Sequence, residues 1–504
     1  MLKKLVAGIT CLGRAIARLR IKYNDRMQKR YSASLLAIVC TFVCALATAV
    51  LLFIPPYIGV ADDGSLSGIM NQAGLAYRQD DLAQETGAYF VRIYQQKETV
   101  HSGFSTQISW IRAAVKLDQF FTHDTYFDIR FLGLIYFLLY LPAVWLVIRG
   151  MALRVRFASE GTVIGVVSVL ILGDGTLTAY FNSLYPEPVW ILGMMYLTGI
   201  GLAFAEKSKI RDSVRMILML IVGIILIMSE DHCAVCGIVL AVFFIVRMGR
   251  QMKDRILPVL CAALLMTVSL FSFQNGISRF NESSFMSAMT NGVLLESVNP
   301  ADTLNELGID PRYETLADMS PYDVYPYALP DNPEIRKGFL DHYSTSEIML
   351  YYMRHPVALI SLTDAGIKAS FSLRRDYCGN YEKQAGMQPR AGNIVFTLWN
   401  NFKQRSAPET IGYLLLLAIV LMVMMTGARK GNTPAEESAS VIQTFWILMG
   451  CCILHTVYII IRSGTAEFAR YSAIAGISID LMSLLVFAVI LHRLNIISTE
   501  GKDK

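Results

Sequence analysis

The feature that most restricts this chain is a recurrence. About ten apolar runs, each near the length of a bilayer crossing, follow one another with mostly short turns between them. A membrane helix needs about 20 mostly apolar residues. The runs fall near 33–54, 127–148, 161–179, 188–205, 214–230, 233–247, 256–274, 411–427, 441–461 and 471–491. Apolar residues make up 54% of the chain and charged residues only 17%, a balance that soluble domains rarely show. The sequence therefore predicts an all-α polytopic membrane protein with about ten transmembrane helices.

The turns orient the spans. "RGMALRVR", "EKSKIRDSVR", "RMGRQMKDR" and "GARKGN" are basic, and nine Lys and Arg crowd the first 30 residues. Basic short loops stay on the cytoplasmic side, and an even number of spans places all four turns there together with both termini. The basic leader marks a membrane flank, not a nucleic-acid patch, and the run from Leu35 to Ile54 is too long for an ordinary secretory signal. The nine cysteines form no spaced framework. Cys233 and Cys236 make a lone CxxC, read as helix packing.

This topology divides the chain into a basic cytoplasmic tail (1–32), a transmembrane module (33–274) with an outer loop at 55–126, an extracytoplasmic lobe (275–410), C-terminal spans (411–491) and a cytoplasmic tail (492–504). In the outer loop, "QISWIRAAVKLDQFF" repeats its apolar residues at helical spacing and predicts an amphipathic, interfacial helix. In the lobe, "HPVALISLTDAGIKASFSL" is interrupted by Asp364 and Lys368, so it predicts an interfacial or re-entrant helix instead of a span.

With sides assigned, acids gather at the outer boundary. Asp62 and Asp63 follow the first span in "IPPYIGVADDG". Asp174 and Glu187 bracket "GDGTLTAYFNSLYPEP", read as the outer turn between the third and fourth spans. Glu230, Asp231 and His232 occupy the next outer turn, and Glu467 and Arg470 the last hairpin, "RSGTAEFAR". Tight membrane turns need polar residues in any case, but the aromatic-rich stretch with Tyr180 and Asn182 exceeds that need. Asp480, midway along the last span, must be protonated or paired. Carboxylates at a membrane face suit glycosyl transfer from a lipid-phosphate sugar. A carboxylate takes the acceptor's proton and cations hold the leaving phosphate. Candidates for the cations are Arg374, Arg375, Lys383, Arg390 and Arg470.

These residues also carry a family resemblance. "IPPYIGVADDGSLSGIMNQAGLAY" resembles the first-loop motif of bacterial polytopic glycan-biosynthesis hexose transferases, the WsfD-like group. "DGTLTAYFNSLYPEP" is similar to that group's second motif, and "GNYEKQAG" and "GTAEFARY" to later pieces. The resemblance implies a C-type (GT-C) glycosyltransferase bundle in the bacterial plasma membrane with an outer-face active site. It implies a polyprenyl-phosphate sugar donor, a glycan or lipid acceptor, and a first-loop acid as catalytic base. That acid falls on Asp62, with Asp63 where many relatives have Asn; the choice between the two stays open. Ser65-Leu66 stand where a second acid is common, which makes a two-acid metal site less expected and leaves a divalent cation as an option only. Asp174, Tyr180, Asn182, Glu187, Asp231, His232, Arg374, Arg375, Lys383, Glu467 and Arg470 are the expected substrate-binding residues. A lipid-linked glycan flippase, or a polymerase or ligase, would share the topology. A transporter would need charges deep in several spans, and only Asp480 and His455 qualify.

Overall fold

The computed structural model describes residues 21–24, 26–28, 32–82, 84–99, 104–155, 157–205, 209–248, 254–278, 282–320, 330–428 and 435–500. Most of the basic N-terminal tail, the end of the C-terminal tail, parts of the basic turns and the middle of "DMSPYDVYPYALPDNPE" lie outside the described residues.

Each of the ten apolar runs is a helix. They are α1 (Ala33–Phe53), α4 (Arg130–Ala152), α5 (Ala158–Leu172), α6 (Glu187–Ala203), α7 (Lys209–Ile227), α8 (Ala234–Val246), α9 (Ile256–Ser278), α12 (Ile411–Ala428), α13 (Ala435–Ser463) and α14 (Ala473–Glu500). Between them stand α2 (Leu66–Ala73) and α3 (Thr106–Thr122) in the first loop, and α10 (Pro356–Ala369) and α11 (Leu398–Ser406) in the lobe. Among the described residues, five helices are individually long and apolar enough to cross a membrane, seven if two bent pairs each count as one span. α6 and α8 are apolar but short. At 1.5 Å per residue they reach less than the ~30 Å of a hydrocarbon core. The protein is an integral membrane protein of mostly helical structure.

Local sequence explains the boundaries. α1 stops at Phe53 because Ile54 precedes Pro55, and a residue before proline is driven out of helical geometry; Ile54 is extended. α5 is shorter than expected. The run predicted to span 161–179 breaks after Leu172, and Gly175–Asn182 continues at 41° to it. Asp174 causes the break by capping the new turn, its side chain accepting from the Thr176 N–H at 2.8 Å. α11 meets α12 at 101°, so the lobe ends in a helix lying across the bundle's end.

The helices expected within 107–121 and 355–373 both form, as Thr106–Thr122 and Pro356–Ala369. α3 buries Ile108, Ile111, Ala114 and Val115 along one face, the 3–4 spacing of an amphipathic helix, and packs on α2 and α4. A small antiparallel sheet, absent from the expectation, ties the first loop together. β1 (Leu75–Ala76) pairs with β2 (Ile93–Gln96), and β2 with β3 (Tyr126–Asp128), in register Ile93 to Asp128. The 127–148 run consequently starts its helix only at Arg130.

The apolar core is continuous through the bundle. A second cluster in the lobe joins the turn Met289–Val293 to the helix Thr345–Arg354 and to Ile459 and Ile460 of α13. Cys233, Cys236, Cys451 and Cys452 are free thiols in the buried packing.

Candidate active site

The "GDGTLTAYFNSLYPEP" stretch is not a solvated turn. Every residue from Ile171 to Ile191 is buried, and its polar atoms are used internally. Asp174 also accepts from the Asn400 N–H at 3.0 Å, fixing α11 over the break. Asn182 Nδ2 donates to the carbonyls of Leu52 and Ile58, at 3.1 and 3.0 Å, clamping the exit of α1. Gly133 faces the same amide, and a methyl group there would strike Asn182 Oδ1. Tyr180 donates to the Leu373 carbonyl at 2.7 Å. Asp174, Tyr180 and Asn182, expected to bind substrate, are therefore the framework that holds the site.

The acid pair is built on that framework. The chain leaving α1 runs beside the lobe segment 379–381. Gly59 N–H donates to Asn380 O and Ala61 N–H to Gly379 O, at 3.1 and 2.9 Å, with a bridge between Ile58 and Tyr381. Tyr185 then brackets the acid pair: its hydroxyl accepts from the Asp63 N–H at 2.7 Å and donates to Ala61 O at 3.2 Å. Neighbouring side chains on an extended backbone diverge, and the two acids separate accordingly.

Asp63 turns inward. Its Oδ2 meets Arg375 Nη1 at 2.9 Å, with side-chain exposures of 8% and 1%. The other terminal nitrogen of Arg375 binds Glu187, itself 1% exposed, and donates to the Arg470 carbonyl at 3.1 Å. The guanidinium also lies 4.4 Å from the Tyr185 ring centroid, a favourable cation–π placement. Burial pushes the Asp63 carboxyl up, but Arg375, the Ser65 hydrogen bonds and Arg470 outweigh it and hold it below its ordinary value. Burial likewise opposes the Arg375 charge, which Glu187, Tyr180, Tyr185 and Asp63 more than restore.

Asp62 turns the other way and is half-buried. Its Oδ1 accepts from the N–H groups of Gly64 and Leu66, at 2.8 and 3.2 Å, and its Oδ2 from the Tyr77 hydroxyl at 2.6 Å. Among the described residues no Lys or Arg lies within ion-pair distance of it. Asp62 is thus an oriented carboxylate with lone-pair capacity left on Oδ2.

Beside the Arg375 cluster is a polar cavity of about 190 Å³. Its wall includes Ser105, Ser229, Glu230, Asp231, His232, Ser284, Arg462, Glu467, Arg470 and Tyr471. Asp231 and Arg462 pair at 3.1 Å, and Ser284 Oγ donates to Glu467 at 2.9 Å. His232 Nδ1 lies 2.8 Å from His455 Nε2, which leaves His232 Nε2 buried and without a hydrogen-bond partner among the described residues. Burial, with Arg470 and Arg462 nearby, pushes His232 down to about 3.

Asp63, Glu187, Arg375, Arg470, Asp231, His232 and Glu467 thus come together at one end of the bundle. Lys383 does not: it is exposed on the turn Lys383–Ala385 and lines neither this cavity nor the one around Arg374. Arg374 packs its guanidinium against Gly392 and faces Asp376 at 3.8 Å, so it is a neighbour and not a member. Arg390 pairs with Glu85. Among the described residues no group of three or more His, Cys, Asp or Glu is placed to hold a metal ion. Tyr77, Tyr185, Arg462 and Tyr471 were not anticipated. All four lie inside the sequence motifs, Tyr185 in "NSLYPEP", Arg462 in "RSGTAEFAR", Tyr471 at the end of "GTAEFARY" and Tyr77 at the end of the first-loop motif that holds Asp62, but nothing in those motifs pairs Tyr77 with Asp62.

A family model described as "YfdI N-terminal transmembrane domain" matches residues 19–504. The chain belongs to that family. No curated protein matches it, and no solved structure does. In this member of the YfdI family, acids and arginines from five separated segments meet beside one cavity at one end of the helical bundle.

Proposed function

We propose that this YfdI-family protein is a membrane glycosyltransferase that moves a hexose from a polyprenyl-phosphate donor to a glycan or lipid acceptor. The observation carrying the reading is the convergence of Asp63, Glu187, Arg375 and Arg462–Arg470, from four separated segments, beside a polar cavity at the end of an apolar bundle, with the oriented carboxylate of Asp62 next to Asp63 in the chain. An amphiphilic donor needs that arrangement: its tail remains among apolar helices while its head enters a charged recess. The C-type likeness of the first-loop motif supports the same reading.

In this mechanism Arg470 and Arg462 hold the donor phosphate in the cavity. The acceptor hydroxyl gives its proton to Asp62 as its oxygen attacks the anomeric carbon. The bond from that carbon to the phosphate oxygen breaks, and polyprenyl phosphate leaves with the electron pair, its charge met by the arginines. Tyr77 orients the base. Asp63 and Glu187 hold Arg375, which in turn positions Arg470 through its carbonyl.

A transporter reading would use the deep polar groups Asp480 and His455. Both are engaged: Asp480 with Lys403 at 2.8 Å and Trp399 at 2.9 Å, His455 with His232.

The test is transfer from polyprenyl-phosphate glucose or mannose to lipid-linked glycan acceptors by the purified chain. Asp62→Asn should lose a factor of ~10²–10⁴ at unchanged thermal stability, and Asp63→Asn about tenfold. Full activity in Asp62→Asn would remove that residue from the mechanism, and loss in Asp63→Asn alone would move the base by one position.

A further inference from the structure

The opposite end of the bundle contains a second, chemically different recess. It lies where the C-terminal ends of α4, α6, α12 and α14 meet the N-terminal ends of α5 and α13, and it has a volume of about 50 Å³. Arg154, Glu160, His492 and Arg493 line it together with apolar residues. Arg154 is fixed in the wall, donating to Gly150 O at 2.5 Å and Ser440 Oγ at 2.9 Å. Glu160 is engaged by His492, whose Nδ1 lies 2.9 Å from Oε1. Arg493 differs: its Nη2 is buried and has no hydrogen-bond partner among the described residues. A guanidinium is a permanent cation with five donors, and a buried donor left unmade is costly. The site is thus complementary to an added anion.

A larger recess adjoins it. It has a volume of about 860 Å³ and shares Met425 and Ser438 with the first. Its remaining walls are nearly all apolar and include Ile238, Val242, Met422 and Trp446, which are 42–55% exposed and so face surrounding lipid. A cationic recess continuous with an apolar groove open to the bilayer matches an amphiphile with an anionic head.

We propose that this end of the bundle binds an anionic phospholipid, its phosphate at Arg493 and Arg154 and an acyl chain in the groove along Met425 and Trp446. Arginine–phosphate hydrogen bonds are charge-assisted and geometrically specific, and basic pockets between membrane helices are suited to such head groups. The site lies at the bundle end remote from Arg375 and Arg470, so it is independent of the transferase reading.

The experiment is native mass spectrometry of the full chain in neutral detergent. Dioleoyl-phosphatidylglycerol, dioleoyl-phosphatidylcholine and inorganic phosphate are titrated separately. Phosphatidylglycerol should bind at least about tenfold more tightly than phosphatidylcholine, and Arg493→Gln should remove about tenfold of that affinity, the scale of one charge-assisted contact. Arg493→Lys should retain part of it. Trp446→Ala, which leaves the cationic recess intact, should also weaken phosphatidylglycerol, so the proposal stays testable if Arg493→Gln does not fold. Equal binding of the two lipids, or undiminished phosphatidylglycerol binding in both Arg493→Gln and Trp446→Ala, would overturn it. Inorganic phosphate binding as tightly as phosphatidylglycerol would overturn the lipid assignment and leave a free-anion site.

Discussion

Asp480 and Asp63 are both acids held against a buried cation, yet their surroundings differ in what is left over. At Asp480, Lys403 reaches both carboxylate oxygens, at 2.8 and 3.0 Å, and Trp399 adds a third donor. At Asp63 the cation Arg375 is divided between two acids and a carbonyl. Glu187 Oε2 and Arg375 Nε remain buried without partners among the described residues, as does His232 Nε2 in the adjoining cavity. A buried ion pair is weak evidence for stability and no evidence for chemistry. Unused hydrogen-bonding capacity beside a cavity is different, because a substrate can complete it. Comparing the two pairs therefore separates a cluster whose hydrogen bonds are complete from one that the proposed function would complete with substrate.

The largest effects should come from breaking each cluster and then repairing it. Lys403→Met and Arg375→Met each strand buried carboxylates, and each should cost ~3–5 kcal/mol in stability, read as a lower thermal unfolding temperature in detergent. Adding Asp480→Leu to Lys403→Met should restore both stability and transfer. Adding Asp63→Asn and Glu187→Gln to Arg375→Met should restore stability while transfer stays lost. Recovery of transfer in that triple variant would make the Arg375 cluster as purely structural as the Asp480 pair.

A smaller effect lies in pH. His232 is pushed down to about 3 by burial and by Arg470 and Arg462, so the unfolded chain binds its proton first. Stability from this group is fully present above the unfolded value near ~6.5 and falls as pH drops below it, by up to ~1.4 kcal/mol per pH unit. Asp63, held below its ordinary value, contributes in the same direction but only within and below the carboxylate range, near ~3.9. Unfolding temperatures between pH 6.5 and 4.5 therefore report on the buried pair of His232 and His455, whose ring nitrogens lie 2.8 Å apart. His232→Gln should flatten that slope, and an unchanged slope would assign it elsewhere.

What could be read in advance follows from the range of each interaction. The ten helices were legible because apolar runs are local and long. The amphipathic spacing of 106–122 was legible for the same reason. The strands were not, since segments of two to four residues carry too little alternation to register. Asp63, Glu187, Arg375 and Arg470 were each recognisable as unusual, but their partnership spans 95 to 312 residues and no single-chain pattern records it. The 173–188 stretch was legible only in part: its aromatics exceed what a turn needs, but its complete burial was not to be seen. Gly, Asp, Asn and Ser signal solvated turns, but here the same polar atoms bond to carbonyls and N–H groups of α1, α11 and the lobe. The need of Asp480 for a partner was plain from its place in an apolar run, whereas the identity of that partner, Lys403, depended on α11 folding across the bundle's end.

The finest distinction is between the two adjacent acids, and Tyr77 is the residue that draws it. Its hydroxyl donates to Asp62 Oδ2 at 2.6 Å, and burial with Tyr94 and Asp62 nearby pushes the phenol up, so it stays a donor throughout the working range. It touches neither Asp63 nor Arg375 among the described contacts. Tyr77→Phe removes one hydrogen bond from a partly exposed carboxylate, worth ~1 kcal/mol or somewhat more. That corresponds to a loss in kcat of about tenfold with KM unchanged. The decisive measurement is the cycle with Asp62→Asn. If Tyr77 acts only by aiming Asp62, it should cost nothing further once Asp62 can no longer accept a proton. If Asp63 were the base, both Asp62→Asn and Tyr77→Phe would be indirect perturbations of a carboxylate that Arg375 already holds, and neither should reach the factor expected of a general base. Non-additivity on a large Asp62 effect therefore keeps the base at Asp62; two small, additive effects would place it at Asp63 and make Tyr77 a packing residue.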